Sequence, residues 1–187
     1  MEVPVASLWL PILLSAIAVF VVSSILHMVL PLHRKDYRKL SNESEAMATL
    51  RKGGVAPGLY HFPWGNNPKE MSSPEMVARL KEGPVGLIAV MPSGPMNMGK
   101  FLGQWFVYCL LVGIFLGYLL ACTLPAGTDA MHVFRVASSA AFLAYCLPNY
   151  VDSVWKAYPW SVTLKNMFGG LLYSLAAGGV FAWLWPG

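Results

Sequence analysis

Four long apolar runs, Leu8 to Leu30, Gly103 to Leu124, Met131 to Val151 and Met167 to Trp185, alternate with polar segments along the chain. A helix rising 1.5 Å per residue needs roughly 20 residues to cross a hydrocarbon core of about 30 Å, and each run has that length. The pattern predicts an all-α integral membrane protein with four transmembrane helices. Helix 1 falls within residues 1–32, a small mixed α/β cytoplasmic insert occupies 33–100, and helices 2–4 follow over 101–187.

The insert has its own punctuation. Asn42 followed by Glu45 has the spacing of a capping box, and Gly53 and Gly54 would end that helix. A second helix begins at Ser73 as N-cap with Pro74 in the first turn and Glu75 near the positive end of the dipole, and it stops at Gly83. Gly58 to Phe62 and Val85 to Met91 read as short strands, giving helix, strand, helix, strand. At this size an independent core is marginal, so the insert is expected to lean on the membrane surface or on a partner. Pro92, Gly94, Pro95 and Gly99 then form a turn-rich connector into the second span, with a backbone nest around Asn97 as the alternative reading.

Composition supports a membrane setting: 56% of the residues are hydrophobic and 12% charged, about half the charged share of a soluble domain. Charge placement adds orientation. Ten of the thirteen Lys and Arg lie between the first two runs, Lys156 and Lys165 lie between the last two, and only Arg135 sits inside a run. Basic loops stay cytoplasmic, so both termini are expected outside. Trp9, Trp105, Trp155, Trp160, Trp183 and Trp185 fall near the ends of the runs, where an amphipathic ring prefers to lie. Basic charge arranged by the membrane gives no footprint for nucleic acid. The first run lacks a basic leader and is followed by His33, Arg34 and Lys35, so it reads as a retained anchor.

Small residues recur every four positions in two runs: Cys109, Gly113, Gly117 and Ala121, and again Gly170, Ser174, Gly178 and Ala182. In lipid such ridges let helices approach closely, within one bundle or against another membrane protein. Cys109, Cys122 and Cys146 have no Cys-x-x-Cys spacing and read as small apolar residues.

Polar residues inside the runs define a candidate path through the membrane: Ser23 and His27 on the first, His132, Arg135, Ser139 and Asn149 on the third. The competing reading has His132 and Arg135 reaching outward to the interface or to Asp129. A shared haem is disfavoured, because His27 and His132 are separated by about 15–20 Å along the membrane normal at 1.5 Å per residue. His27 and His33 lie six apart, off a common helical face, with Pro31 between them. No nucleotide loop, Gly-x-Ser-x-Gly elbow or covalent-haem motif occurs, and no catalytic, cofactor or metal site is expected.

Pro31 to Tyr37, the pair Phe62 and Pro63, Gly83 with Pro84 and Gly86, and Asn97 to Gly99 carry a resemblance over nearly the whole chain. The chain resembles a group of uncharacterised bacterial four-span inner-membrane proteins, which implies a bacterial membrane and no mechanism. The expected role is a non-catalytic accessory or scaffolding subunit of a larger complex, with membrane lipids and partner subunits as its contacts. A permeation protein for a small solute or protons, and a membrane-bound redox protein, are the alternatives.

Overall fold

A computed structural model describes residues 2–187. A 3-10 turn at Val5–Leu8 leads into α1 (Trp9–Ser24), which widens into a π-helical turn at Ile25–Val29. After a 3-10 turn at Pro31–His33 come α2 (Glu43–Lys52), β1 (Gly58–Phe62), α3 (Pro68–Met71), α4 (Pro74–Glu82) and β2 (Gly86–Val90). Four helices complete the chain: α5 (Met98–Thr123), α6 (Ala130–Tyr145), α7 (Pro148–Trp155) and α8 (Trp160–Trp183). Two compact units result: the residues up to Tyr37 with Asn97–Gly187, and Arg38–Met96.

Three stretches, Val5–Val29, Met98–Thr123 and Ala130–Trp155, are long and apolar enough to cross a membrane. The fourth expected run corresponds to α8. It begins at Trp160 rather than Met167, takes in Thr163, Lys165 and Asn166, and is less apolar than the other three. The third run is also not one continuous helix: a turn at Cys146–Leu147 precedes Pro148, whose ring cannot continue the hydrogen-bond ladder.

In the helical unit, α8 packs against α6 and α1, and α1 packs against α5. Val19, Leu120, Val133, Ala137, Ala141 and Phe181 are fully enclosed at its centre. Both small-residue ridges contribute to these seams. A side chain at Gly113 would come within 3.0 Å of the Ile12 carbonyl, and one at Gly117 would strike the Ile12 side chain. On α8 a side chain at Gly170 would fall on the Tyr145 backbone, and one at Gly178 on Ser138. Ser174 is buried and bonds back to the Gly170 carbonyl, while Ala121 and Ala182, at the ridge ends, are half-buried. The loop between α5 and α6 is tied to the segment after α8: the Gly127 N–H donates to the Pro186 carbonyl and the Trp185 indole to the Pro125 carbonyl.

The second unit carries an antiparallel two-stranded sheet in which Gly58 pairs with Val90 and Phe62 with Gly86. The Ser73 hydroxyl accepts from the Met76 N–H and caps α4, whereas Asn42 precedes α2 without a side-chain cap bond. Asn67 caps the short α3, which the sequence pattern does not signal, and Asn97 caps α5 by accepting from the Lys100 N–H.

Candidate functional site

A partly open cleft of about 590 Å³ lies in the helical unit, between the ends of α1, α5, α6 and α8. One wall is aromatic. Trp105 stacks on Tyr108 with centroids 5.5 Å apart, and Tyr145 meets Trp105, Tyr108 and Tyr173 edge-on at 5.8–6.3 Å. Such offset and edge-on pairs are worth about 0.5–1.5 kcal/mol each beyond the area they bury. The Trp105 indole N–H donates to the Ser23 hydroxyl at 2.8 Å, joining α5 to α1. Trp105 is thus part of the cleft wall.

The facing wall is built where α1 ends. Leu30 precedes Pro31 and is extended, because a residue before proline is excluded from helical backbone angles. The Leu30 N–H reaches back five residues to the Ile25 carbonyl, and the chain turns again over Pro31–His33. These two local departures lay the His33 ring flat on the His27 ring, centroids 4.3 Å apart and planes within 1°. A regular helical wheel separates the two residues, and the proline break cancels that separation.

Behind the pair stands a charged relay. The His33 Nδ1–H donates to Asp36 Oδ2 at 2.7 Å, and Lys165 Nζ donates to the other carboxylate oxygen. The Asp36 side chain is only 6% exposed. Burial acts to raise its pKa, but the hydrogen bonds from Lys165 and His33, with the Lys165 charge, outweigh it and hold the carboxyl below its ordinary value. His27 is fixed similarly, its Nδ1 lying 3.0 Å from the Ser23 carbonyl. Asn149, from α7, bonds the Tyr145 and Cys146 carbonyls that the break before Pro148 releases.

The expected polar path divides at that same break. Ser23, His27 and Asn149 line the cleft. His132, Arg135 and Ser139 are exposed on the outside of α6 and line no part of it. Nor does Asp129 pair with either base; its carboxylate accepts from the Met131 and His132 N–H groups as the cap of α6. Cys109 and Cys146 are buried and Cys122 exposed, all three free. Among the described residues no group of three or more His, Cys, Asp or Glu could hold a metal ion. His61 bonds the Pro63 carbonyl in the other unit.

Trp105, Tyr108, Tyr145, Tyr173, His33, Asp36 and Lys165 build the site, though the sequence reading assigns none of them to it. A clue exists for one pair: Trp105 and Tyr108 are three apart, on one face of a helix. Asp36 and Lys165, 129 positions apart, offer none. No protein-family model, curated protein or solved structure matches the chain.

Proposed function

We propose that the protein is a four-span membrane protein that binds a small amphipathic molecule drawn from the surrounding lipid. The observation that carries this reading is the cleft itself, about 590 Å³ within the helical unit, walled by four aromatic rings and two stacked imidazoles. Its volume falls in the range of small-molecule sites, which are mostly apolar with a few convergent polar groups. With α8 as the fourth span, the excess of Lys and Arg in the two loops sets those loops in the cytoplasm and both termini outside. The His27–His33 pair and Asp36 adjoin the first basic loop, so the cleft opens near the cytoplasmic surface. A bacterial inner membrane is the setting implied by the sequence resemblance.

Thermal unfolding of lipid-stripped protein tests this reading. Adding back lipid extracted from the native membrane should raise the midpoint by several degrees, since a ligand at 100 times its Kd stabilises by about 2.7 kcal/mol. Ser24→Phe, which places a ring in the cleft, should abolish the rise. Equal rises in both proteins would count against the cleft as the site.

A specific observation also favours a role as accessory subunit. Leu59 on β1 is 85% exposed, and Trp64 in the same unit is 66% exposed, large apolar side chains that a partner could cover. A photoreactive residue at position 59 should then cross-link to one polypeptide of defined mass in intact membranes, and labelling of lipid alone would remove this role.

A further inference from the structure

We infer that the outward face of α6 docks a membrane-spanning helix of a partner subunit, which brings an Asp or Glu carboxylate to Arg135. This rests on the accessory-subunit reading and names one of its interfaces. His132, Arg135, Ser139 and Leu143 recur at three- and four-residue steps, so they share one face of α6, and all four are exposed. Val133, Ala137, Ala141 and Tyr145 occupy the opposite face and are buried in the core of the helical unit. The chain's own bundle thus covers one side of α6 and leaves a polar stripe on the other. A span surrounded by lipid presents apolar side chains, because an ionisable group in hydrocarbon is costly; such groups face a bundle interior or a pairing group instead.

Charge complementarity sets the chemistry of the partner. Among the described residues Arg135 enters no ion pair. Nor does the chain hold a carboxylate in reserve for it. Asp36 is paired with Lys165 and His33, and Asp152 with Lys156, while Asp129 accepts from two N–H groups as the cap of α6. The remaining acids are Glu2 and the five glutamates from Glu43 to Glu82, all outside the apolar runs. The anion therefore comes from another molecule, and a carboxylate fits the guanidinium fork with two parallel hydrogen bonds. A lipid phosphate is the competing anion, and depth argues against it as the cover of the whole face. At 1.5 Å per residue, Arg135 lies about 7 Å and Ser139 about 13 Å beyond Ala130, the first residue of α6. The long Arg stem reaches a headgroup from that depth, but the short Ser139 side chain does not. Ser139 beside Ala140 instead provides the small, hydrogen-bonding surface on which membrane helices approach closely. One crossing helix covers the stripe from His132 to Leu143, whereas a headgroup covers only its outer end.

A photoreactive residue at position 143, irradiated in intact native membranes with the full chain, tests the inference. Leu143 is 62% exposed at the inner end of the stripe, so a large side chain is accommodated there. The residue should join one polypeptide, and peptide mapping of the adduct should place the join on a membrane span that contains Asp or Glu. Arg135→Met keeps a long stem and removes the charge, and should lower the yield of that adduct about 10-fold or more, with Arg135→Lys lowering it less. The isolated Arg135→Met chain should unfold in detergent at the wild-type midpoint, so that the lost adduct reports the interface and not the fold. A lower midpoint would place Arg135 in the chain's own packing and overturn the inference. Labelling of lipid alone, an adduct indifferent to Arg135→Met, or a join to a span without a carboxylate, a second copy of this chain included, would also overturn it. If position 59 still joins a polypeptide, such a result leaves the accessory role standing; lipid alone at both positions would remove both.

Discussion

His27 and His33 lie face to face, with ring centroids 4.3 Å apart and planes within 1° of parallel. The contact exists because Pro31 forces Leu30 out of the helix and the following 3-10 turn brings the chain back over the π-helical turn. It gives the helical unit one wall of its cleft and aims Nδ1 of His33 at Asp36.

Replacing Lys165 by Met leaves the nearly enclosed Asp36 carboxylate with His33 alone. Removing one partner of a buried ion pair destabilises by about 3–5 kcal/mol, and Lys165 is 27% exposed, so a loss of about 2 kcal/mol is expected. Urea or thermal unfolding in detergent reads it. Loss below a few tenths of a kcal/mol would mean that the pair does not hold α8 to the turn after α1.

The same carboxylate sets an acid dependence. Its pKa lies below the ordinary 3.8 in the folded protein, so the unfolded chain takes up the proton first as pH falls. Asp36 thus contributes stability that is fully present above about pH 4 and is lost as pH drops through the lower folded value. The unfolding midpoint of the wild type should fall between pH 5 and pH 2 more steeply than that of Asp36→Asn. Parallel curves would show that Asp36 is not held ionised.

Three glycines of α8 separate packing from helix propensity. Gly170→Ala would set a methyl on the Tyr145 carbonyl and 2.7 Å from the Cys146 Cα, and Gly178→Ala would meet the Ser138 side chain with its backbone nitrogen at 2.9 Å. Each should cost about 1–3 kcal/mol through overpacking. Gly179→Ala meets nothing within 4 Å and should be neutral or gain up to about 1 kcal/mol. Unfolding midpoints of the three variants decide it, and neutral or stabilising effects at Gly170 and Gly178 as well would place the α8 ridge outside the bundle.

Arg135 is exposed on the outer face of α6, remote in the lining from the cleft. Arg135→Ala should leave proton and solute flux in liposomes, and the stabilisation by added native lipid, within twofold of the wild type. A clear change in flux would restore a permeation path along that face.

The long-range plan of the chain is legible in its sequence because it follows from one-dimensional patterns. Apolar length marks α1, α5 and α6, and Ser73 with Gly83 brackets α4. The two strand patterns come within a residue of β1 and β2. Glycine spacing marks where α5 and α8 are narrow, though not which neighbour fills the space; the contacts at Ile12, Tyr145 and Ser138 supply that. The cleft is hidden for two physical reasons. Proline breaks at Pro31 and Pro148 reset the angular register, so His27 and His33, which a regular helix would keep apart, stack, whereas the face drawn from Arg135 to Asn149 is not a real face. The Asp36–Lys165 pair and the Trp105–Ser23 bond join residues far apart in the chain, where no local spacing applies.

Trp105 couples the aromatic wall to α1 through its indole N–H. Trp105→Phe keeps an aromatic ring but removes the donor and part of the indole's packing, and together these should cost about 1–3 kcal/mol of stability. Unfolding of Trp105→Phe beside Trp105→Phe/Ser23→Ala checks the assignment: the second change should add little, because the two residues act as a pair. Fully additive losses would contradict the coupling.

Native mass spectrometry of the full chain, extracted gently from its own membrane, tests the central claim most directly. The wild type should carry a small-molecule adduct of defined mass that activation releases, and Ser24→Phe prepared identically should lack it. A bare wild-type mass, or the same adduct on both proteins, would contradict the cleft as the binding site of a membrane amphiphile.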